Sequence, residues 1–266
     1  MSEFFSMNQS SITFLEKPSL KNPVLIVGLP GVGSIGKIAA EFLINELPSK
    51  KFGVIHSPHF PYHVVISKEG IIRLLNNEIF YYNPKTGLND LVIITGDYQS
   101  QTIFGQYEVA GLIINLCKEF NITKIITIGG YAVGKFKGEP KVLGAVNRAG
   151  LDEWIDKLAV NGCEIGSPIV GAAGFLLGLA KLNHIDGICL LGETPGFVTD
   201  AKAAKIILAK LVSYLNLELN LSKLDETDKE IKKSIGKVQE IEKQKGIIKQ
   251  LKEKFSTSEK DLSYFG

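Results

Sequence analysis

Apolar residues in this chain follow two rhythms. Short solid runs of aliphatic residues alternate with stretches whose apolar positions recur every three to four residues. Pro23-Val24-Leu25-Ile26-Val27 is the first solid run, and its length suits a strand buried on both faces. A glycine-rich turn follows, and Ile35 to Leu47 then shows helical spacing. Phe52-Gly53-Val54-Ile55-His56 predicts a second strand. His63 to Ser67 and Ile71 to Leu75, joined by Lys68-Glu69-Gly70, predict a hairpin. Leu91-Val92-Ile93-Ile94 predicts a strand and Ile103 to Phe120 a helix. Lys124-Ile125-Ile126-Thr127-Ile128 predicts a strand ended by Gly129-Gly130. Leu151 to Val160 and Val170 to Leu182 read as helices. The last strand is Gly187-Ile188-Cys189-Leu190-Leu191, and the last core helix is Asp200 to Leu215, capped by Thr199 or Asp200.

Strands alternating with helices imply βαβ units, a mostly parallel sheet and helices on both of its faces. The hairpin adds antiparallel pairing. The expected fold is therefore an α/β class, three-layer α/β/α sandwich with a mostly parallel mixed sheet, over residues 1–220. Beyond it the texture changes. Leu221, Leu224, Ile231, Ile235, Val238, Ile241, Ile248, Leu251 and Phe255 sit at helical spacings among lysine and glutamate. They predict an amphipathic helical arm over 221–255, interrupted by Gly236 and Gly246. Residues 256–266 are small and polar, and are expected to be a flexible tail that orders only against a partner.

Composition narrows the class. At 45% hydrophobic and 22% charged residues the chain is globular in type. A formal net charge of +2 gives no basic field for nucleic acid or an anionic membrane. Arg73 and Arg148 are the only arginines, which also argues against nucleic-acid recognition. Cys117, Cys163 and Cys189 have no metal or redox spacing, so they read as reduced core thiols suited to a cytoplasmic protein. The first ten residues lack the pattern of a signal peptide. The longest uncharged stretch, Ile165 to Ala180, is broken by Pro168 and several glycines. It reads as a buried helix rather than a membrane span.

Candidate chemistry centres on glycine-rich turns. Gly31-Val32-Gly33-Ser34-Ile35-Gly36 matches the dinucleotide fingerprint and sits between a strand and a helix. The second strand, however, ends in His56-Ser57-Pro58, without the acidic residue that would hold a ribose. Gly31, Gly36 and Lys37 nearly form a phosphate loop, but Ile38 stands where a magnesium-holding hydroxyl belongs. The plainer reading is a tight turn that lets a helix pack close to the sheet, with incidental anion binding. At the other strand ends, Asp97, Tyr131 and Glu193 are the candidate chemical groups. No nucleophile-histidine-acid order accompanies them. His56, His59 and His63 cluster within a proline-flanked loop rather than at metal-ligand spacing. No cofactor or metal is expected. An enzyme related to nucleoside phosphorylases or hydrolases, or a nucleotide-sensing regulator, remains the alternative to a binding module.

The segment Val27-Gly28-Leu29-Pro30-Gly31-Val32-Gly33-Ser34-Ile35-Gly36 resembles an N-terminal signature of the archaeal proteasome assembly chaperone family. That family comprises relatives of the second eukaryotic proteasome assembly chaperone. Gly96-Asp97-Tyr98-Gln99, Gly129-Gly130-Tyr131, the Gly171–Gly178 helix and Gly192-Glu193-Thr194-Pro195-Gly196 extend the resemblance over roughly residues 20 to 215. It implies a phosphorylase-like fold without established catalysis, in homo-oligomers that act without ATP. It also implies a C-terminal tail of the form hydrophobic-tyrosine-any residue, which inserts between α-subunits of the 20S proteasome. By position, Tyr264 would be the hydrophobic residue, Phe265 the aromatic one and Gly266 the terminal carboxylate. Phe265 departs from the family's tyrosine and so lacks its hydroxyl. The resemblance thus predicts a non-enzymatic chaperone or activator of the proteasome.

Overall fold

The computed structural model describes residues 8–67, 69–84, 89–133, 140–196, 198–231 and 233. Val24–Val27 (β2) holds four consecutive buried apolar residues, so it needs cover on both faces and lies inside the sheet. In chain order, β1 is Ser11–Phe14, α1 is Ile35–Glu46 and β3 is Lys50–His56. Next come β4 (Val64–Ile66), β5 (Ile72–Leu74), β6 (Asn77–Tyr82) and β7 (Leu91–Gly96). Then follow α2 (Ile103–Glu119), β8 (Lys124–Ala132), β9 (Val142–Val146), α3 (Asp152–Lys157) and β10 (Asn161–Gly162). The last are α4 (Ala172–Leu182), β11 (Asp186–Thr194) and α5 (Ala201–Tyr214).

Nine strands form one sheet in the order β1-β3-β6-β7-β2-β8-β11-β9-β10. The strands β7-β2-β8-β11 at its centre are parallel, and β1, β3 and β6 on one flank and β9 on the other join antiparallel. Strand alternation sends Leu25 and Val27 to one face, where α2 and α4 pack with Val109, Ile113, Leu176 and Leu177. It sends Val24 and Ile26 to the other, where α1 packs beside α5. The three-layer sandwich is therefore present. The predicted hairpin forms separately, as the two-stranded antiparallel pair β4–β5.

Several boundaries differ from the sequence expectation, each for a local reason. β8 does not stop at Gly129-Gly130 but runs to Ala132, because β11 pairs with it along its whole length. The uncharged stretch from Ile165 becomes helical only at Ala172. Gly166 (φ 86°) and Gly171 (φ 95°) turn the backbone left-handed there, and Ile165 is exposed. The Leu151–Val160 helix is reduced to Asp152–Lys157, with Ala159 at φ 49° breaking it. Asp200, not Thr199, caps α5, accepting from the Ala203 N–H at 2.9 Å. The strands β1, β6, β9 and β10 are additions. Cys117 and Cys189 are buried and reduced, Cys163 only partly covered. Burial pushes the Cys117 and Cys189 thiols up to about 12.

The chain divides into two units, Met1–Leu221 and Ser222–Gly266. In the second, residues 223–231 are helical. The rest of the expected arm, and the tail with Tyr264, Phe265 and Gly266, lie outside the described residues. Among the described residues no helix is long and apolar enough to cross a membrane.

Candidate functional site

The glycine turn after β2 is built for close backbone approach. A Cβ on Gly28 would lie 2.1 Å from the Gly36 carbonyl oxygen, and one on Gly36 would lie 2.3 Å from that of Ile128. On β8, a Cβ on Gly130 would meet the Val32 carbonyl oxygen at 2.2 Å. These positions seat the start of α1 against the sheet, and no side chain fits between. Gly33 (φ 63°) and Ser34 (φ 51°) turn left-handed, and the Gly33 carbonyl accepts from the Asp200 N–H at 2.9 Å. The turn thus also anchors the start of α5.

Gln99 bridges this turn to α4. Its Nε2 donates to the Pro30 carbonyl at 2.6 Å, and its Oε1 accepts from the Ala172 N–H at 2.8 Å. An N–H of the first turn of α4, which has no partner within its own helix, is thereby satisfied by a neutral amide. The crevice left beside it, lined by Gly129, Gly130 and Val170, is about 40 Å³. A nucleotide needs several times that room. Lys37 is equally committed. Its Nζ donates to the Gly96 carbonyl at 2.9 Å and lies 3.2 Å from Glu41.

Asp97 forms a two-point ion pair with Arg73, at 2.5 and 3.0 Å, and accepts the Asn76 N–H at 3.1 Å. Burial by itself would raise its pKa. The Arg73 hydrogen bonds, the Asn76 N–H and the charges of Arg73 and Lys37 outweigh burial and hold the carboxyl below its usual range. Asp97 therefore ties the end of β7 to β5. Tyr131 and Glu193 lie opposite each other on β8 and β11. Glu193 accepts the Lys141 N–H at 2.9 Å and returns its own N–H to the Lys141 carbonyl at 3.0 Å. The structure brings Tyr131 and Glu193 together and leaves Asp97 just past the end of β7, two strands from β8 across β2. Both carboxylates act as structural ties.

Two groups of residues escaped the sequence reading. Gln99 was visible only as part of a Gly-Asp-Tyr-Gln string, and its role depends on a contact with α4. The second is a polar cluster beneath β1. Ser10 Oγ donates to Ser57 Oγ at 2.7 Å and also contacts Glu108. The His59 Nε2 lies 3.6 Å from Glu108, and its Nδ1 lies 3.0 Å from Thr102 Oγ1. His63 instead stacks edge-on against Tyr98 at 5.4 Å, and His56 is held in β3, where burial lowers its pKa. The three histidines thus take different partners. No group of three His, Cys, Asp or Glu side chains with metal-holding geometry occurs among the described residues.

The strand-end rim is apolar where it meets solvent. Ile103 is 82% exposed, Phe104 69%, Tyr107 56% and Val170 89%. Tyr98 joins them beside Gln99, and Tyr107 packs against Phe175 at 4.6 Å. On the hairpin, Ile66, Ile71 and Ile72 are each about two-thirds exposed. An apolar face of this extent suits a protein partner better than a small polar substrate.

Known proteins give this geometry a setting. PbaB of Pyrococcus furiosus, described as an archaeal proteasome activator, superposes with a TM-score of 0.82 at 43% identity, over 88% of this chain and 100% of that one. PbaA of the same organism is described as an archaeal homologue of proteasome-assembly chaperone. It superposes with a TM-score of 0.71 at 28% identity, over 87% of this chain and 96% of that one. An uncharacterised protein of Methanocaldococcus jannaschii, MJ1210, is 36% identical over 248 residues, 93% of each chain. Residues 25–239 match the PAC2 family, and the chain belongs to that family.

Proposed function

We propose that this chain is an ATP-independent proteasome assembly chaperone or activator that docks on the α-ring of the 20S proteasome through Tyr264, Phe265 and Gly266. The observation that carries this reading is the likeness to PbaB, a protein described as a proteasome activator, over the whole of that chain at 43% identity. The state of the glycine-rich corners supports it from the other side. Gln99 closes the turn, Lys37 and Asp97 are held by protein partners, and Ile38 offers no metal ligand. We accordingly read the chain as a binding module rather than an enzyme.

In this reading 1–220 is the core, 221–255 an amphipathic arm and 256–266 the docking tail. The partners are proteasome α-subunits and further copies of the chain, in the cytoplasm. The exposed rim of Ile103, Phe104, Tyr107 and Val170 supports self-association. These exposed side chains are aliphatic and aromatic, as the cores of subunit interfaces are. A formal net charge of +2 gives little repulsion to keep such faces apart. A single short tail of three contacting residues binds weakly by itself, and several tails on one oligomer gain effective concentration.

The test is binding of the full-length chain to an archaeal 20S proteasome, compared with a chain lacking Tyr264, Phe265 and Gly266. Loss of binding with the three residues supports tail docking. Equal binding by both chains moves the interface to the core. No binding by either rejects the function.

A further inference from the structure

A second cavity lies at the opposite end of the sheet from the glycine turns. It has a volume of about 320 Å³ and opens where β2, β7 and β8 begin, beneath the C-terminus of α5. That is the lower end of the roughly 300–1,000 Å³ typical of small-molecule pockets, room for one or two rings and not for a dinucleotide.

Its lining specifies a chemistry. The floor is aliphatic, with Val24 at 3% exposure, Leu91 at 1% and Ile126 at 1%. Trp154 and Tyr214 form an aromatic wall, their ring centroids 6.3 Å apart and tilted by 48°. Lys124 stands at the mouth. Three donors of this lining have no hydrogen-bond acceptor among the described residues: the Lys124 ammonium, the Trp154 indole N–H and the Tyr214 hydroxyl. Lys157 engages Glu153, and Asp186, beside Lys124 in the sheet, is held at two points by Arg148, so among the described residues Lys124 forms no ion pair. An aromatic pair, donors without acceptors and an unpaired lysine at the mouth together suit a flat ring that carries an acceptor-rich anion.

We propose that this cavity binds a small aromatic carboxylate, its ring against Trp154 and Tyr214 and its carboxylate toward Lys124. The site is separate from the proteasome-docking tail and from the strand-end corners, and it suits a regulatory metabolite of that chemical class.

Trp154 is the only tryptophan in the chain, so its emission reports on the cavity directly. Phenylacetate is titrated into the full-length protein up to about 10 mM, the weak end of specific affinity. Neutral phenylacetamide serves as the shape control. The expected result is a saturable change in Trp154 emission with phenylacetate, accompanied by a rise in thermal stability through linkage. Lys124→Met keeps the apolar stem and removes the charge, and is expected to weaken phenylacetate binding about tenfold. Binding of phenylacetamide is expected to be weak and indifferent to that substitution. No saturable response over the range overturns the proposal. So does a response that Lys124→Met leaves unchanged, or equal binding of the acid and the amide. No proteasome enters the assay, so its outcome is independent of the docking experiment.

Discussion

Gln99 accepts the Ala172 N–H at 2.8 Å, so a side chain at the end of β7 caps the start of α4, 73 residues away. The same amide donates to the Pro30 carbonyl at 2.6 Å. One residue thus joins the glycine turn, the end of β7 and α4.

Gln99→Ala should therefore destabilise the core. Two partially buried partners, the Pro30 carbonyl and the Ala172 N–H, lose their bonds together, at a cost of about 1–3 kcal/mol. Denaturant titration measures it. Gln99→Glu keeps the acceptor for Ala172 but aims a carboxylate at a carbonyl oxygen, and should be no better than Gln99→Ala. A stability change below the resolution of the titration would show that water replaces the amide.

The Arg73–Asp97 pair predicts an acid limb of stability. Asp97 has a folded pKa below its unfolded value, so its contribution is present above the ordinary Asp value, about 3.9. It is lost as pH falls from there through the lower folded value. Melting temperature followed from neutral to acid pH should drop in that window. Asp97→Asn should lower stability near neutrality and flatten this part of the acid limb. The Arg73 side chain is 41% exposed, so solvent screening keeps the effect modest.

Glycine substitutions should separate close backbone approach from mere flexibility. Gly130→Ala would place a Cβ 2.2 Å from the Val32 carbonyl oxygen and Gly36→Ala 2.3 Å from that of Ile128. Each must shift α1 from the sheet, and overpacking of this kind costs about 1–3 kcal/mol or more. Gly178, inside α4, has open space around its Cβ position. Gly178→Ala should stabilise by about 0.5–1 kcal/mol through helix propensity. Thermal melts of the three variants give opposite signs if this account holds.

The apolar rim predicts an assembly defect. Phe104 is 69% exposed at the first turn of α2, so Phe104→Glu should leave the fold and its melting of secondary structure nearly unchanged. In an interface the buried, unpaired carboxylate should cost several kcal/mol and shift the protein to smaller species. Sedimentation velocity reads the change. An unaltered species distribution would remove this rim from the subunit contact.

The strand-helix alternation, the buried thiols and the hairpin are legible in the chain because each depends on periodicity or on a short turn. Val24–Val27 is apolar at every position, so burial on both faces is written into four adjacent residues. The family resemblance is legible for a related reason, since its glycines mark places where two backbones touch. Other features were not legible. The strands β6 and β9 contain Asn77, Glu78 and Gly144 and show no clean alternation, and only their antiparallel partners make them strands. Gly129-Gly130 looks like a strand end until β11 pairs across it.

For the candidate site the division is sharper. The sequence by itself placed glycines, Lys37, Asp97, Tyr131 and Glu193 at strand ends, which is where α/β folds keep their chemistry. Only the tertiary structure decided what those groups do. Arg73, Gly96, Gln99 and Lys141 come from distant parts of the chain to satisfy them, and a charge or donor that already has its partner is not available to a substrate. The cavity of Val24, Lys124, Trp154 and Tyr214 was likewise invisible. Its walls come from segments that are separated by up to 190 residues and meet only when β2, β8, α3 and α5 pack, because local patterning records which residues seek burial but not which surfaces they leave uncovered.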